Sequence, residues 1–357
     1  ASRGPAVTRG GTLYYPYWLA YAVGVLEEAG FEVRFVDAIA RNLDLGRVLE
    51  IARDFRPALS VLDVTTPSLK WDLETAARVK DATNGIVVAV GPNATARSAE
   101  LLAGSAFDAV ARREYDFTLR DVASCLRDGR GLENVEGLSL KNGSTIVHNP
   151  DRPYIEDLDA LPFVSRVYKR HLAISDYFYA TSLHPEVTIL SGRGCQYRCS
   201  WCVYPQAMTG HRFRERGPEN FVEELEYIRA DLPEVREVFI EDDTFTSNRA
   251  RVHAICELIR ARRLKVQWAC NIRADVDRGT LRAMKASGCR MVTVGFESGS
   301  QVVLDGMTKG NTVAAARRFM HDANAVGLSG HGCFIGGGIG ETKSTLAETL
   351  QHALDAR

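Results

Sequence analysis

The sequence predicts an α/β protein of two domains, a Rossmann-like sheet followed by a partial β/α barrel. Three observations carry that prediction. Two runs of alternating strand-like and helix-like segments are separated by an irregular stretch. The chain has 357 residues, 45% of them apolar, which suits about two cores. The unusual motifs fall where strand-like segments end, which is where parallel β/α architectures gather their ligands.

The first run spans residue 16 to about residue 127. It starts with "PYWLAYAVGVLEEAG" at helical spacing and "FEVRFVDA" as a strand, then "LGRVLEIARDF" and "PALSVLDV". It continues through "WDLETAARVKDA", "GIVVAVG", "ATARSAELLAG", "FDAVA" and "YDFTLRDVASCLRDG". Strands alternating with helices at these lengths imply a parallel sheet covered on both faces, a doubly wound domain over residues 1–127. The opening "ASRGPAVTRGGTLYYP" makes a poor strand, so the first strand of such a sheet is expected to be missing. Residues 128–185 read as a linker, with "LKNGSTIVHN" a small hairpin around Asn142-Gly143 and "LDALPFVSR" a connector.

The second run covers residues 186–357. Its strands are "EVTILSG", "REVFIEDD", "KVQWACN", "MVTVGFES" and "SGHGCFIGGG", each followed by a helical segment. Five strand-helix units fit a partial barrel better than an open sheet. A sixth strand would lie beyond Arg357, so the domain reads as truncated there.

Composition narrows the class. With 44 basic and 45 acidic residues, the totals give no support to nucleic acid, leaving a small-molecule or lipid substrate. No apolar run of about 18 residues and no signal-peptide pattern appear, which places the chain in the cytoplasm with no transmembrane segment. Eight cysteines, three clustered, indicate reduced thiols and one metal site rather than a disulfide framework. Cys256, Cys270, Cys289 and Cys333 read as small core residues.

The cluster is "GRGCQYRCSWC", in which Cys195, Cys199 and Cys202 follow the first barrel strand. Thiolates spaced C-x3-C-x2-C can wrap one face of an iron–sulfur cluster and leave its fourth iron open. A structural zinc site would need a closed fourth ligand, and the sequence offers only His211.

With Trp201 just before the third cysteine, this arrangement resembles the radical S-adenosylmethionine enzymes. In that family the amino and carboxylate groups of S-adenosylmethionine chelate the open iron of a 4Fe-4S cluster. The resemblance extends to successive strand ends. "FIEDDTF" puts Glu241, Asp242 and Asp243 where the family orients the methionine amino group, and "CNIRAD" supplies Asn271 and Arg273 for ribose or carboxylate. "VGFESGS" supplies Glu297 and Ser298, and "FIGGGIGET", with Gly336, is similar to the glycine-rich adenine-side loop. Singly, these read as an acidic turn, a helix cap and a flexible turn. Their joint order argues otherwise. Gly338 and Ile339 depart from the usual loop pattern.

The first domain lacks G-x-G-x-x-G, so a nicotinamide site has little support. Its loops "LDVTTPSLKWD" and "AVGPNAT", ahead of such a barrel, resemble those of cobalamin-binding domains. The resemblance implies Thr65, Thr66, Ser68 and Leu69 from the first loop and Gly91, Pro92 and Asn93 from the second; as plain sequence they are ordinary turn residues. No histidine precedes His148, so this domain offers none to the lower cobalt face. Tyr14 and Tyr15 lie near the relevant loop, where tyrosines more often pack than ligate.

The resemblance implies reductive cleavage of S-adenosylmethionine, hydrogen abstraction from an unactivated carbon by a 5′-deoxyadenosyl radical, and methyl transfer from methylcobalamin. An electron donor such as flavodoxin or ferredoxin is implied with it. Cyclisation or ring contraction is the alternative outcome, since residues 187–350 are also similar to a branch associated with hopanoid-lipid tailoring. A non-enzymatic corrinoid or metal carrier would explain the first domain only. "HRFRER" offers Arg212, Arg214 and Arg216 either to an anionic substrate group or to solvent.

Overall fold

The structure, a computed structural model, describes residues 11–355. The first ten residues of the poor opening strand lie outside that range. Two compact units divide the chain. The first runs to Glu156 and takes in Ala160–Ala180 and Gln206–Gly210; the second holds Asp157–Asp159, Thr181–Pro205 and the chain from His211 onward.

In the first unit the elements are α1 (Tyr17–Glu28), α2 (Leu45–Phe55), β1 (Leu59–Asp63), α3 (Leu69–Thr83), β2 (Ile86–Val90), α4 (Pro92–Ala96), α5 (Ser98–Ala103), β3 (Ala109–Ala111), α6 (Asp116–Arg127), β4 (Leu138–Asn142), β5 (Thr145–His148) and α7 (Val164–His171). Strands β1, β2 and β3 pair in parallel, and β4 and β5 continue the sheet antiparallel. Val87 to Val90 are all fully buried, so both faces of β2 need cover. Val87 and Ala89, on one face by strand alternation, share a core with Leu49 of α2, Val79 of α3 and Leu102 of α5.

Three expectations change here. "FEVRFVDA" alternates in burial, with Phe35 and Asp37 inward, yet pairs with no strand among the described residues. Alternation records which side chains are buried, and a strand also needs a free sheet edge beside it. The expected linker instead carries β4 and β5, whose hairpin turns at Gly143 (φ 61°) and extends the first sheet. Described strands therefore follow chain order, without the reversal of a doubly wound sheet. Tyr15 packs, stacking on Tyr177 at 4.0 Å between ring centroids.

The second unit contains β6 (Glu186–Ile189), β7 (Gly192–Arg193), β8 (Arg214–Glu215), α8 (Pro218–Asp231), β9 (Glu237–Ile240), α9 (Arg249–Ala261), β10 (Trp268–Arg273), α10 (Arg278–Ala286), β11 (Cys289–Glu297), α11 (Gln301–Gly306), α12 (Val313–Ala325), β12 (Ser329–Phe334) and α13 (Lys343–Asp355). Five strands form a parallel sheet in the order β6, β9, β10, β11, β12, the sequential order of a β/α barrel segment. Helices start at capping side chains: Asn248, Asp277 and Thr312 accept from the backbone of α9, α10 and α12.

Register assigns each side chain to a face. Thr188, Phe239, Ala269, Met291 and Ser329 form one rung. Two residues on, Asn271, Thr293 and His331 form another, with Glu241 continuing it one position past Ile240. This face carries the polar groups. The opposite face, with Ile240, Cys270, Val292 and Val294, is apolar and buried, as a face covered by helices must be.

Candidate active site

The cysteine loop leaves β7 through Gly194 (φ 92°), a backbone conformation that favours glycine. Gly192 is also required, since a Cβ there would lie 2.5 Å from the Phe213 ring and 2.9 Å from the Arg214 carbonyl. Cys195, Cys199 and Cys202 are reduced, half-buried thiols. The Tyr197 N–H donates to Cys195 and the Tyr204 N–H to Cys202, while the Thr244 hydroxyl, beside Cys195, donates to the Asp243 carbonyl at 2.6 Å. Donors aimed at sulfur suit anionic thiolates. Burial pushes both thiols up, Cys202 to about 11, and the Asp243 charge adds to this. A bound metal reverses that preference.

His211, the possible zinc ligand, instead turns Nδ1 to the Tyr197 carbonyl at 3.1 Å. Among the described residues, no three His, Cys, Asp or Glu converge on a single-ion site. An iron–sulfur cluster needs no such convergence, because each thiolate meets a different iron.

Arg273 reaches the loop from the end of β10. Its guanidinium lies 3.6 Å from the Tyr197 ring centroid, its Nη1 is 4.0 Å from Cys199 Sγ, and its Nη2 donates to the Lys309 carbonyl at 2.6 Å. Lys309 is buried, pairs with Glu297 at 2.6 Å and stands 5.5 Å from the Trp201 ring centroid. The Ser200 N–H meets the Met307 carbonyl at 3.0 Å. Loop and strand ends thus form one hydrogen-bonded body.

Of the residues expected to meet S-adenosylmethionine, Glu241, Asn271 and Arg273 share the polar face. Asn271 donates to Glu241, whose carboxyl is pushed up to about 7, mainly by burial. Asp243 is half-buried, its charge acting on Cys195 and Cys202.

Asp242 lies apart from these. Strand alternation puts it opposite Glu241, fully buried, accepting from Ser191 N at 2.6 Å, Ser191 Oγ at 2.5 Å and Gly192 N at 3.0 Å. Glu297 also lies apart. It occupies the left-handed region (φ 63°) at a bulge of β11, and its carboxylate is taken by Lys309. Ser298 is buried against α13, with Oγ 2.8 Å from Thr349 Oγ1. Gly336 sits exposed in the loop after β12.

Arg216 is neither solvated nor aimed at a substrate: it is buried and pairs with Glu224. Arg214 is buried as well, and only Arg212 is exposed. Cys256, Cys270 and Cys289 are core residues as expected, whereas Cys333 is half-buried at the rung of Arg273 and Gly295. Sequence reading missed Thr244, Lys309 and Arg251, which act across long separations and form no local motif.

In the first unit, the loop after β1 closes on itself. Thr65 Oγ1 and Ser68 Oγ lie 2.6 Å apart, and Ser68 Oγ donates to Asp72 at 2.6 Å. Ser68 is 1% exposed, so it holds the loop and is not open to a ligand. Leu69 begins α3, half-buried, and Pro92 begins α4. Gly91 (φ 101°) fits between the strand ends, where a Cβ would be 3.2 Å from the Val64 carbonyl. Exposed Thr66 accepts from Asn93 Nδ2 at 2.9 Å across the two loops.

Comparison with known proteins agrees with both halves. The model of the radical SAM superfamily matches residues 189–353, and that of the B12 binding domain matches residues 5–123. An uncharacterized methyltransferase of Pyrococcus horikoshii is 28% identical over 352 residues, which cover 96% of this chain and 74% of the relative. The anaerobic magnesium-protoporphyrin IX monomethyl ester cyclase of Cereibacter sphaeroides is also 28% identical, covering 95% of this chain but 56% of its own. The structure of the radical S-adenosylmethionine methyltransferase TsrM from Kitasatospora setae, with cobalamin and a 4Fe-4S cluster bound, superposes with a TM-score of 0.81 at 21% identity. That alignment covers 96% of this chain and 67% of TsrM, and it shows a shared fold.

A B12-binding sheet joined to a radical SAM sheet defines a class of cofactor-dependent enzyme. The chain thus carries a B12-binding domain and a radical SAM domain, which imply cobalamin, a 4Fe-4S cluster and S-adenosylmethionine as its cofactors.

Proposed function

We propose that Cys195, Cys199 and Cys202 hold the cluster, that Glu241, Asp243, Asn271 and Arg273 receive S-adenosylmethionine, and that the enzyme methylates carbon. The observation that carries this reading is the cysteine loop, bonded through Arg273 and Met307 to the strand ends on which the polar face of the sheet terminates. When bound, the cofactors supply a radical that takes hydrogen from an unactivated carbon and a methyl group to replace it. The chain's residues position and shield. Arg273 fixes Tyr197 within the loop, and Asn271 orients Glu241. Thr66 and Asn93, with Gly91 and Pro92, offer a corrin-facing edge, while Thr65, Ser68 and Leu69 hold its shape.

The polar rung favours a small polar substrate over a hopanoid-type lipid. Among the described residues Thr293 Oγ1 is buried without a hydrogen-bond partner, on the same rung as exposed His331, and both suit hydrogen bonds to a ligand. The Pyrococcus relative supports methylation, and the cyclase relative keeps a non-methylating cyclisation or rearrangement as the second reading. A flavodoxin- or ferredoxin-type donor is required in either case. Free buried thiols support a reducing, cytoplasmic setting, and no described helix is long and apolar enough to cross a membrane.

Anaerobic reconstitution with iron, sulfide and hydroxocobalamin, then assay with S-adenosylmethionine and dithionite, tests the reading. Methylation expects 5′-deoxyadenosine together with S-adenosylhomocysteine. Deoxyadenosine alone would favour cyclisation, and neither product from cluster-loaded protein would refute both.

A further inference from the structure

The loop that carries the three thiols is anchored from behind by buried charge. Asp242 takes both backbone N–H groups of Ser191 and Gly192 and the Ser191 hydroxyl, at 2.5 to 3.0 Å. Arg251, 5% exposed, donates Nη2 to the Ser191 carbonyl at 2.7 Å, Nη1 to its hydroxyl at 3.2 Å and Nε to the Arg216 carbonyl at 2.8 Å. The Arg216 N–H meets the same Ser191 carbonyl at 2.9 Å. Every hydrogen-bonding group of Ser191 is therefore engaged, four residues before Cys195. Two opposite charges have left water to fix one serine. Burial that costly persists where its partners are complete and the geometry it sets is used.

We infer that Asp242, with Arg251, is a positioning residue for the iron–sulfur cluster, setting the path of the cysteine loop through Ser191 and Gly192 and not touching S-adenosylmethionine. This rests on the reading that the three thiols hold the cluster. Partners behind metal ligands orient them, and losing one typically costs about 10- to 100-fold in metal affinity. Asp242→Asn keeps the shape but replaces an acceptor oxygen with an amide donor that faces the Ser191 donors.

The test uses the full chain, reconstituted anaerobically with iron and sulfide. Three quantities are compared between wild type and Asp242→Asn: the paramagnetic resonance spectrum of the reduced cluster without S-adenosylmethionine, the spectral change on adding it, and the rate of iron loss to a chelator. Positioning predicts an altered spectrum before any S-adenosylmethionine is added and iron loss about ten-fold faster. A wild-type spectrum and rate would overturn the inference. So would an unaltered cluster that no longer responds to S-adenosylmethionine, because Asp242 would then be a ligand contact. Should Asp242→Asn fail to fold, Ser191→Ala removes only the hydroxyl and is expected to alter the spectrum in the same direction. A lower melting temperature with an unchanged spectrum in either variant would reduce the network to fold stability. Wild type that takes up no iron with sulfide would remove the underlying reading itself.

Discussion

The two strand-end regions are built on opposite principles. In the second unit the cysteine loop is fixed by buried ions: Asp242 and Arg251 behind it, Lys309 and Glu297 beside it. In the first unit the loops after β1 and β2 are held by neutral side chains and one carboxylate, the Thr66–Asn93 bond lying in solvent. A buried charge tolerates one geometry only, whereas an exposed hydroxyl–amide bond exchanges with water at little cost. On the proposed assignment the contrast matches the ligands: a cluster bonded through three sulfurs would demand fixed thiols, while a large corrinoid would spread its contacts over a surface.

The largest effect expected is at the thiols. Cys199→Ala should leave a folded chain without a labile cluster and without S-adenosylmethionine cleavage, read by iron and sulfide content and deoxyadenosine yield. Normal cluster content in that variant would contradict the site.

Next comes a pH effect from the polar face. Burial pushes the Glu186 carboxyl, 1% exposed on β6, up from 4.5 to about 8. The native state thus keeps a proton that the unfolded chain releases near 4.5, so stability falls as pH rises between those values and levels off above the higher one. The loss amounts to a few kcal/mol. Melting temperature should decline between about pH 6 and about pH 8, and Glu186→Gln should flatten that decline. Parallel curves for the two proteins would mean that Glu186 is already ionised.

A smaller loss is expected from Arg273→Lys, which keeps the charge but cannot lie flat on Tyr197 while reaching Lys309 O. Deoxyadenosine formation should fall about ten-fold with iron content preserved. Iron lost in proportion would leave loop support as the role of Arg273 and remove ligand reception.

Where sequence sufficed and where it failed follows from range. The cysteine triad is legible because its thiols lie seven positions apart at most on one loop, and the parallel strands because their apolar runs are local. The three acids of "EDD" are equivalent as text. Only strand alternation and the sheet's outer layer separate Glu241 and Asp243 from Asp242. Lys309 belongs to no motif, and its role comes from a fold that brings it to Glu297 and to the loop. "FEVRFVDA" shows the reverse error, a periodicity that reports burial without pairing. Residues 140–149 are legible as a hairpin, but the sheet they join depends on the distant β3 edge.

Asn93→Ala presents the smallest change and the sharpest test of the comparison. Asn93 and Thr66 are bonded at 2.9 Å in solvent, so the deletion exchanges one protein partner for water and leaves no buried group unsatisfied. Such a bond is worth about 0.5–1.5 kcal/mol, which puts the expected loss of cobalamin affinity within about ten-fold. Cluster content should not change. Corrinoid titration followed by absorbance, with iron measured in parallel, reads both. A much larger loss would mean that these side chains are buried once the corrin is bound and that the first unit, like the second, depends on a fixed polar geometry. An unchanged affinity would leave Gly91 and the backbone of the two loops as what recognises the corrinoid, with the side chains contributing shape alone.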